Sequence, residues 1–241
     1  MTIATILLEG MPGEPLPYLL RTDWMVTSTM FLCILLVSFI FSRGKKHLLQ
    51  ILKNFTQNRE RNSMFDEVTA ADARHTTFLI LHTCIMLGFC AYRYFAQVNP
   101  GLYEKTSHSL LLGGFVLSFV LFMVWKWITY GLVNWIFFQK VRNILWITSF
   151  FNLYIWLGIL MLPLVLVTVY FDISSQTALY LVGSLLVFAK ILLFWKCFSN
   201  FFEKFYGVFH LILYFCALEI IPDLILWKGM EMISSNLILK L

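Results

Sequence analysis

The sequence predicts an all-α integral membrane protein, a six-helix transmembrane bundle with interfacial amphipathic helices, and three observations carry that prediction. The first is composition: 60% of the 241 residues are hydrophobic and only 13% charged, with a mean hydropathy of +0.79. A chain of that make-up has lipid as its solvent. The second is segmentation, because six stretches approach the ~20 apolar residues that a helix needs to cross a bilayer core. The third is the placement of basic residues. Lys and Arg resist translocation and collect in cytoplasmic loops, whereas Asp and Glu contribute little.

Each element follows in order. Residues 1–23 form an outer tail with no basic n-region, so a cleaved signal peptide is not expected. The first span, 24–42, stops where Arg43, Lys45 and Lys46 cannot follow it into lipid. Residues 43–75 are a basic loop, expected in the cytoplasm. Within it Leu48, Leu49, Ile51, Leu52 and Phe55 share one side of a short helix, expected to lie along the membrane surface. A core of five more spans occupies 76–228. The second span, 76–95, leads to a turn at Asn99, Pro100 and Gly101. The third, 107–127, ends among Trp125, Lys126 and Trp127, the aromatic and basic blend of an inner interface. Residues 128–143 continue that blend and either lie flat or prolong the helix. The fourth span, 145–171, contains Pro163, a candidate kink. After a turn with Asp172, the fifth runs over 177–198 and returns at Lys196 and Lys204. The sixth, 205–227, is followed by a short amphipathic tail over 229–241.

On this threading Arg43, Lys45, Lys46, Lys53, Arg59, Arg61, Arg74, Lys126, Lys140, Arg142, Lys196 and Lys204 lie inside, against Arg21, Arg93, Lys105, Lys228 and Lys240 outside. Both termini are therefore expected on the periplasmic side, and the net charge of +5 is a sum of inner loops. The expected partners are the bilayer and other inner-membrane or envelope proteins; nucleic acid is not expected. Cys33, Cys84, Cys90, Cys197 and Cys216 all fall in apolar stretches and read as packing residues. No metal and no cofactor is predicted.

A shift of 70 residues aligns Gly88 with Gly158, Gly113 with Gly183, and Trp125–Lys126 with Trp195–Lys196, a weak parallel hairpin repeat. Gly114 with Ser118, and Cys84 with Gly88, have the small-xxx-small spacing that lets helix backbones approach. Gly88, Gly113, Gly114 and Ser118 are accordingly expected at helix contacts.

Ionisable groups at membrane depth are costly and mark candidate sites. Glu219 is placed about 5 Å beyond the midpoint of its span, and Lys190 about 5 Å to the other side of its own, at ~1.5 Å per residue. A lysine stem can cover much of the separation or snorkel towards the headgroups. Pro222 removes the backbone bond to the Leu218 carbonyl and can kink the helix beside Glu219, while Asp223 sits one turn on. Two readings stay open for this group, an ion or proton site and a buried lock between helices. His82 and His210 fall at similar depths on the second and sixth spans. They are candidates for a proton relay with Glu219 or, as a remoter alternative, for haem ligation. The loop residues Asp66, Glu67, Asp72 and His75 read as solvated or capping groups. No nucleophile elbow, zinc-protease helix or phosphate loop occurs, so the chain is expected not to be an enzyme.

The run Phe209 to Pro222, closing with Cys216, Ala217, Leu218, Glu219, Ile220, Ile221 and Pro222, resembles the C-A-L-E-I-x-P signature of a Bacteroidota family of multi-pass inner-membrane proteins, a domain of unknown function. The resemblance extends over most of the chain from the second span onward. It implies a bacterial cytoplasmic membrane and carries over Glu219 and Pro222 as signature positions, and it brings no activity. The leading expectation is a non-enzymatic structural or accessory subunit of an envelope complex. The alternatives are a small proton- or ion-coupled transporter using Glu219, and a haem-binding electron-transfer protein.

Overall fold

The computed structural model describes residues 20–45, 48–49, 51, 70–98, 107–137, 140–171, 173–201 and 208–240. Among them all regular structure is helical: α1 (Trp24–Arg43), α2 (Ala70–Val98), α3 (His108–Phe137), α4 (Lys140–Tyr170), α5 (Ser175–Phe201), α6 (Val208–Phe215), a π-helical turn (Cys216–Ile220) and α7 (Ile221–Lys240). Five of them, α1 to α5, are long and apolar enough to cross a membrane. The stretch expected as the sixth span is a composite helix, broken at the π turn.

The helices are longer than the apolar runs. With 29, 30 and 31 residues, α2, α3 and α4 measure roughly 45 Å at ~1.5 Å per residue, against a hydrocarbon core of about 30 Å. They therefore tilt or project beyond it. The stretch after Trp127 prolongs α3 instead of lying flat. Pro163 sits inside a continuous α4, and α7 runs without a break from the sixth span into the tail. α1 begins where expected because Asp23 caps it, its carboxylate accepting from the Met25 amide at 2.9 Å.

α2 is the most enclosed element, with 61% of its membrane window buried. α3 and α4 flank it and α5 packs on α4, while α1 is peripheral. Two glycines make the central crossings possible. A Cβ on Gly88 would meet the backbone of Val116 on α3, its Cα 3.1 Å away, and one on Gly158 would run into Thr83 of α2. With nothing in the way, the Thr83 hydroxyl reaches across to donate to the Tyr154 carbonyl of α4 at 3.0 Å. A buried cluster of Phe89, Phe95, Phe115, Phe150, Tyr130 and Trp146 fills the rest.

Two packing expectations are corrected. Gly113 and Gly114 meet nothing within 4 Å, and Ser118 turns its hydroxyl back to the Gly114 carbonyl at 2.8 Å. That face of α3 is turned away from the bundle, since a small residue favours close approach only on the side where a neighbour stands. The repeat weakens for the same reason: Gly88 rests on α3, yet Gly158 rests on α2 and not on the next helix. In the first basic segment, Leu48 and Ile51 are buried with Ile40, Leu79 and Ile155, so the start of that stretch is part of the bundle. Leu52, Phe55, Asp66, Glu67, the 99–101 turn, Asp172, Lys204 and residues 1–19 lie outside the described residues.

Candidate functional site: a buried four-charge cluster

The π turn begins with local chemistry. Pro222 has no amide hydrogen, so the carbonyl of Leu218, four residues earlier, loses its helical donor. The chain widens one turn here, and the Ile221 amide bonds to the Cys216 carbonyl five residues back. The orphaned Leu218 oxygen is supplied from another helix: Lys126 of α3 donates to it at 2.7 Å. Backbone oxygens stranded in a bilayer must find a donor inside the protein, and Lys126 provides it.

The same ammonium group meets the carboxylate presented by the widened turn. Lys126 Nζ lies 3.0 Å from Glu219 Oε2, both side chains 1% exposed, and 3.7 Å from Asp223 Oδ1. Lys190 of α5 closes the other side, 2.5 Å from Glu219 Oε2 and 2.5 Å from Asp223 Oδ2. Two amines and two carboxylates, balanced in formal charge, thus form a cluster that joins α3, α5 and the broken helix. It is graded in depth: Lys126 and Glu219 are sealed, whereas Lys190 and Asp223 are 29% and 36% exposed at its edge. Phe122 and Tyr130 offer ring faces to Lys126 at 5.3 and 5.8 Å. Glu219 Oε1, also buried, accepts no hydrogen bond.

Of the residues singled out in the sequence, Glu219, Asp223 and Lys190 come together, and Pro222 shapes the turn that presents them. Lys190 bridges and does not snorkel. Lys126 was assigned to the cytoplasmic boundary because Trp125 and Trp127 flank it, and this is corrected. α3 runs on to Phe137, so Lys126 lies well inside the helix, with its side chain turned inward and its tryptophan neighbours outward, about half exposed. Charge balance was the signal that could have found it: two carboxylates in one apolar helix need a second cation besides Lys190. Also missed was a polar chain towards the other end of the bundle. The Tyr214 hydroxyl donates to Asn134 Oδ1 at 2.8 Å, and Asn134, fully buried, donates to Asn143 Oδ1 at 3.2 Å.

The candidate histidines are not brought into the cluster. His82 is fully buried at the α2–α4 crossing beside Gly158, and neither ring nitrogen makes a well-formed hydrogen bond. The side chain of His210 lies outside the described residues. Among the described residues no three His, Cys, Asp or Glu side chains are grouped to hold a metal ion, and the five cysteines are free.

The family model of a domain of unknown function, DUF4271, matches residues 26–230, nearly the whole chain. The protein belongs to the DUF4271 family. No curated protein and no solved structure matches it. In this DUF4271 chain the matched region takes in all of the charge cluster, from Lys126 to Asp223, together with α2 to α5 and all but the first two residues of α1. It is a multi-pass membrane protein.

Proposed function

We propose that this protein is a non-enzymatic, multi-pass component of a bacterial inner membrane, acting as a structural or accessory subunit of an envelope assembly. Its residues 43–75 face the cytoplasm and its two ends the periplasm. The observation that carries the reading is the neutrality of the cluster. A transport site for a cation needs a carboxylate not already matched, whereas both carboxylates here are matched by two ammonium groups. Paired in this way, Lys126, Lys190, Glu219 and Asp223 act as a lock. They hold the composite sixth helix against α3 and α5, where apolar contacts alone give helices in lipid little reason to associate. The basic cytoplasmic segment supplies a surface for a partner or for anionic headgroups.

A second reading, a small proton-coupled carrier, is favoured by one feature: the unmatched Glu219 Oε1 next to the half-open Lys190–Asp223 edge. One experiment separates the two. The tagged full-length chain and its Glu219→Gln variant are purified from native membranes and reconstituted in proteoliposomes. The lock reading expects a co-purifying membrane protein with the wild type, and a parallel loss of abundance and partner in the variant. Normal abundance and an intact partner, with proton flux abolished in the variant, would establish the carrier instead.

A further inference from the structure

Away from the charge cluster, a partly open groove lies between the C-terminal ends of α2 and α4 and the start of α5. Its walls are apolar, formed by Phe89, Val165, Val169, Ala178, Leu179 and Val182. Arg93 is the cation that lines it. Its Nη2 donates to the Ile173 carbonyl at 3.1 Å, while Nη1 is enclosed with no acceptor among the described residues. A guanidinium offers five N–H donors in a planar fork suited to phosphate, and at membrane depth an unanswered donor is costly. Tyr94, Gln97 and Thr168 add polar groups to the wall, and the Thr168 hydroxyl is spent on the Val165 carbonyl at 3.0 Å.

A mostly apolar, partly open groove lined by one under-used guanidinium matches an amphiphile with a single anionic head. We propose that this groove is a specific site for an anionic phospholipid, the phosphate held by Arg93 and an acyl chain laid along Val165, Val169 and Val182. The charge is complementary, because no acidic side chain among the described residues pairs with Arg93. This site is independent of the lock, since it shares no residue with the cluster on α3, α5 and the broken helix.

The test is native mass spectrometry of the full-length protein in detergent, titrated with phosphatidylglycerol, with phosphatidylethanolamine, or with inorganic phosphate alone. The expected result is preferential retention of phosphatidylglycerol, with no competition by phosphate. Retention should weaken about tenfold in Arg93→Gln, the loss of a charge-assisted bidentate contact, and should return only in part in Arg93→Lys, which restores the charge but not the planar fork. Val182→Trp fills the groove without touching the guanidinium and is expected to weaken retention as much. Equal retention by wild type and Arg93→Gln would mean annular lipid only, and competition by phosphate would mean a free-anion site; either overturns the proposal. So would recovery of an unstable Arg93→Asp variant by Asp172→Arg, which would make Asp172 the true partner of Arg93.

Discussion

Lys126 answers two demands at once, the Leu218 carbonyl stranded by Pro222 and the Glu219 carboxylate beside it. Removing one partner of a buried ion pair leaves the other charged and unmatched, at a cost of about 3–5 kcal/mol. Lys126→Met is therefore expected to destabilise by about that much, measured by equilibrium unfolding in detergent. The cluster also divides into two neutral pairs, Lys126 with Glu219 and Lys190 with Asp223. Lys126→Met combined with Glu219→Met should thus lose less than Lys126→Met alone. An additive loss would show that the pairs are not coupled as the geometry requires. The carboxylates and Lys190 were legible in the sequence because charge inside an apolar run is conspicuous. Lys126 was hidden by its tryptophan neighbours, since an anchor at an interface and a cation inside a bundle share the same local sequence.

Helix pairs are set by which glycines have a neighbour. Gly88 and Gly158 accommodate another helix, while Gly113 and Gly114 accommodate none. Gly158→Ala would drive a Cβ against Thr83, whose Cα stands 3.0 Å away, and is expected to cost about 1–3 kcal/mol, the range for overpacking a filled contact. Gly113→Ala has open space and should be neutral, or stabilising by about 0.5–1 kcal/mol, from the lower helix cost of alanine. Thermal unfolding of the two variants in the same detergent checks the contrast, and equal effects would mean that α2 and α4 do not cross at Gly158. The spacing of small residues announced that helices could approach. It did not say which face would be used, because all four glycines offer the same absence of side chain.

Across the whole molecule, the proposed threading rests on the tendency of basic residues to stay on one side of the bilayer. Lys126 and Lys196 leave that tally, since both are buried within helices, yet the dense run from Arg43 to Arg74 keeps the bias. A cysteine placed at Asn58 is expected to react with a membrane-impermeant maleimide only after the cells are permeabilised. Labelling in intact cells would invert the topology and put the Arg93 groove in the opposite leaflet. The sequence by itself determined the class and the presence of charge in apolar helices, because hydropathy and the cost of burying ions act through local composition. Only the tertiary structure decided that α3 runs past its tryptophans, that the sixth helix breaks into a π turn, and that four charges from three helices cancel. Those outcomes depend on which side chains meet across helices far apart in the chain, and no local pattern records such a meeting.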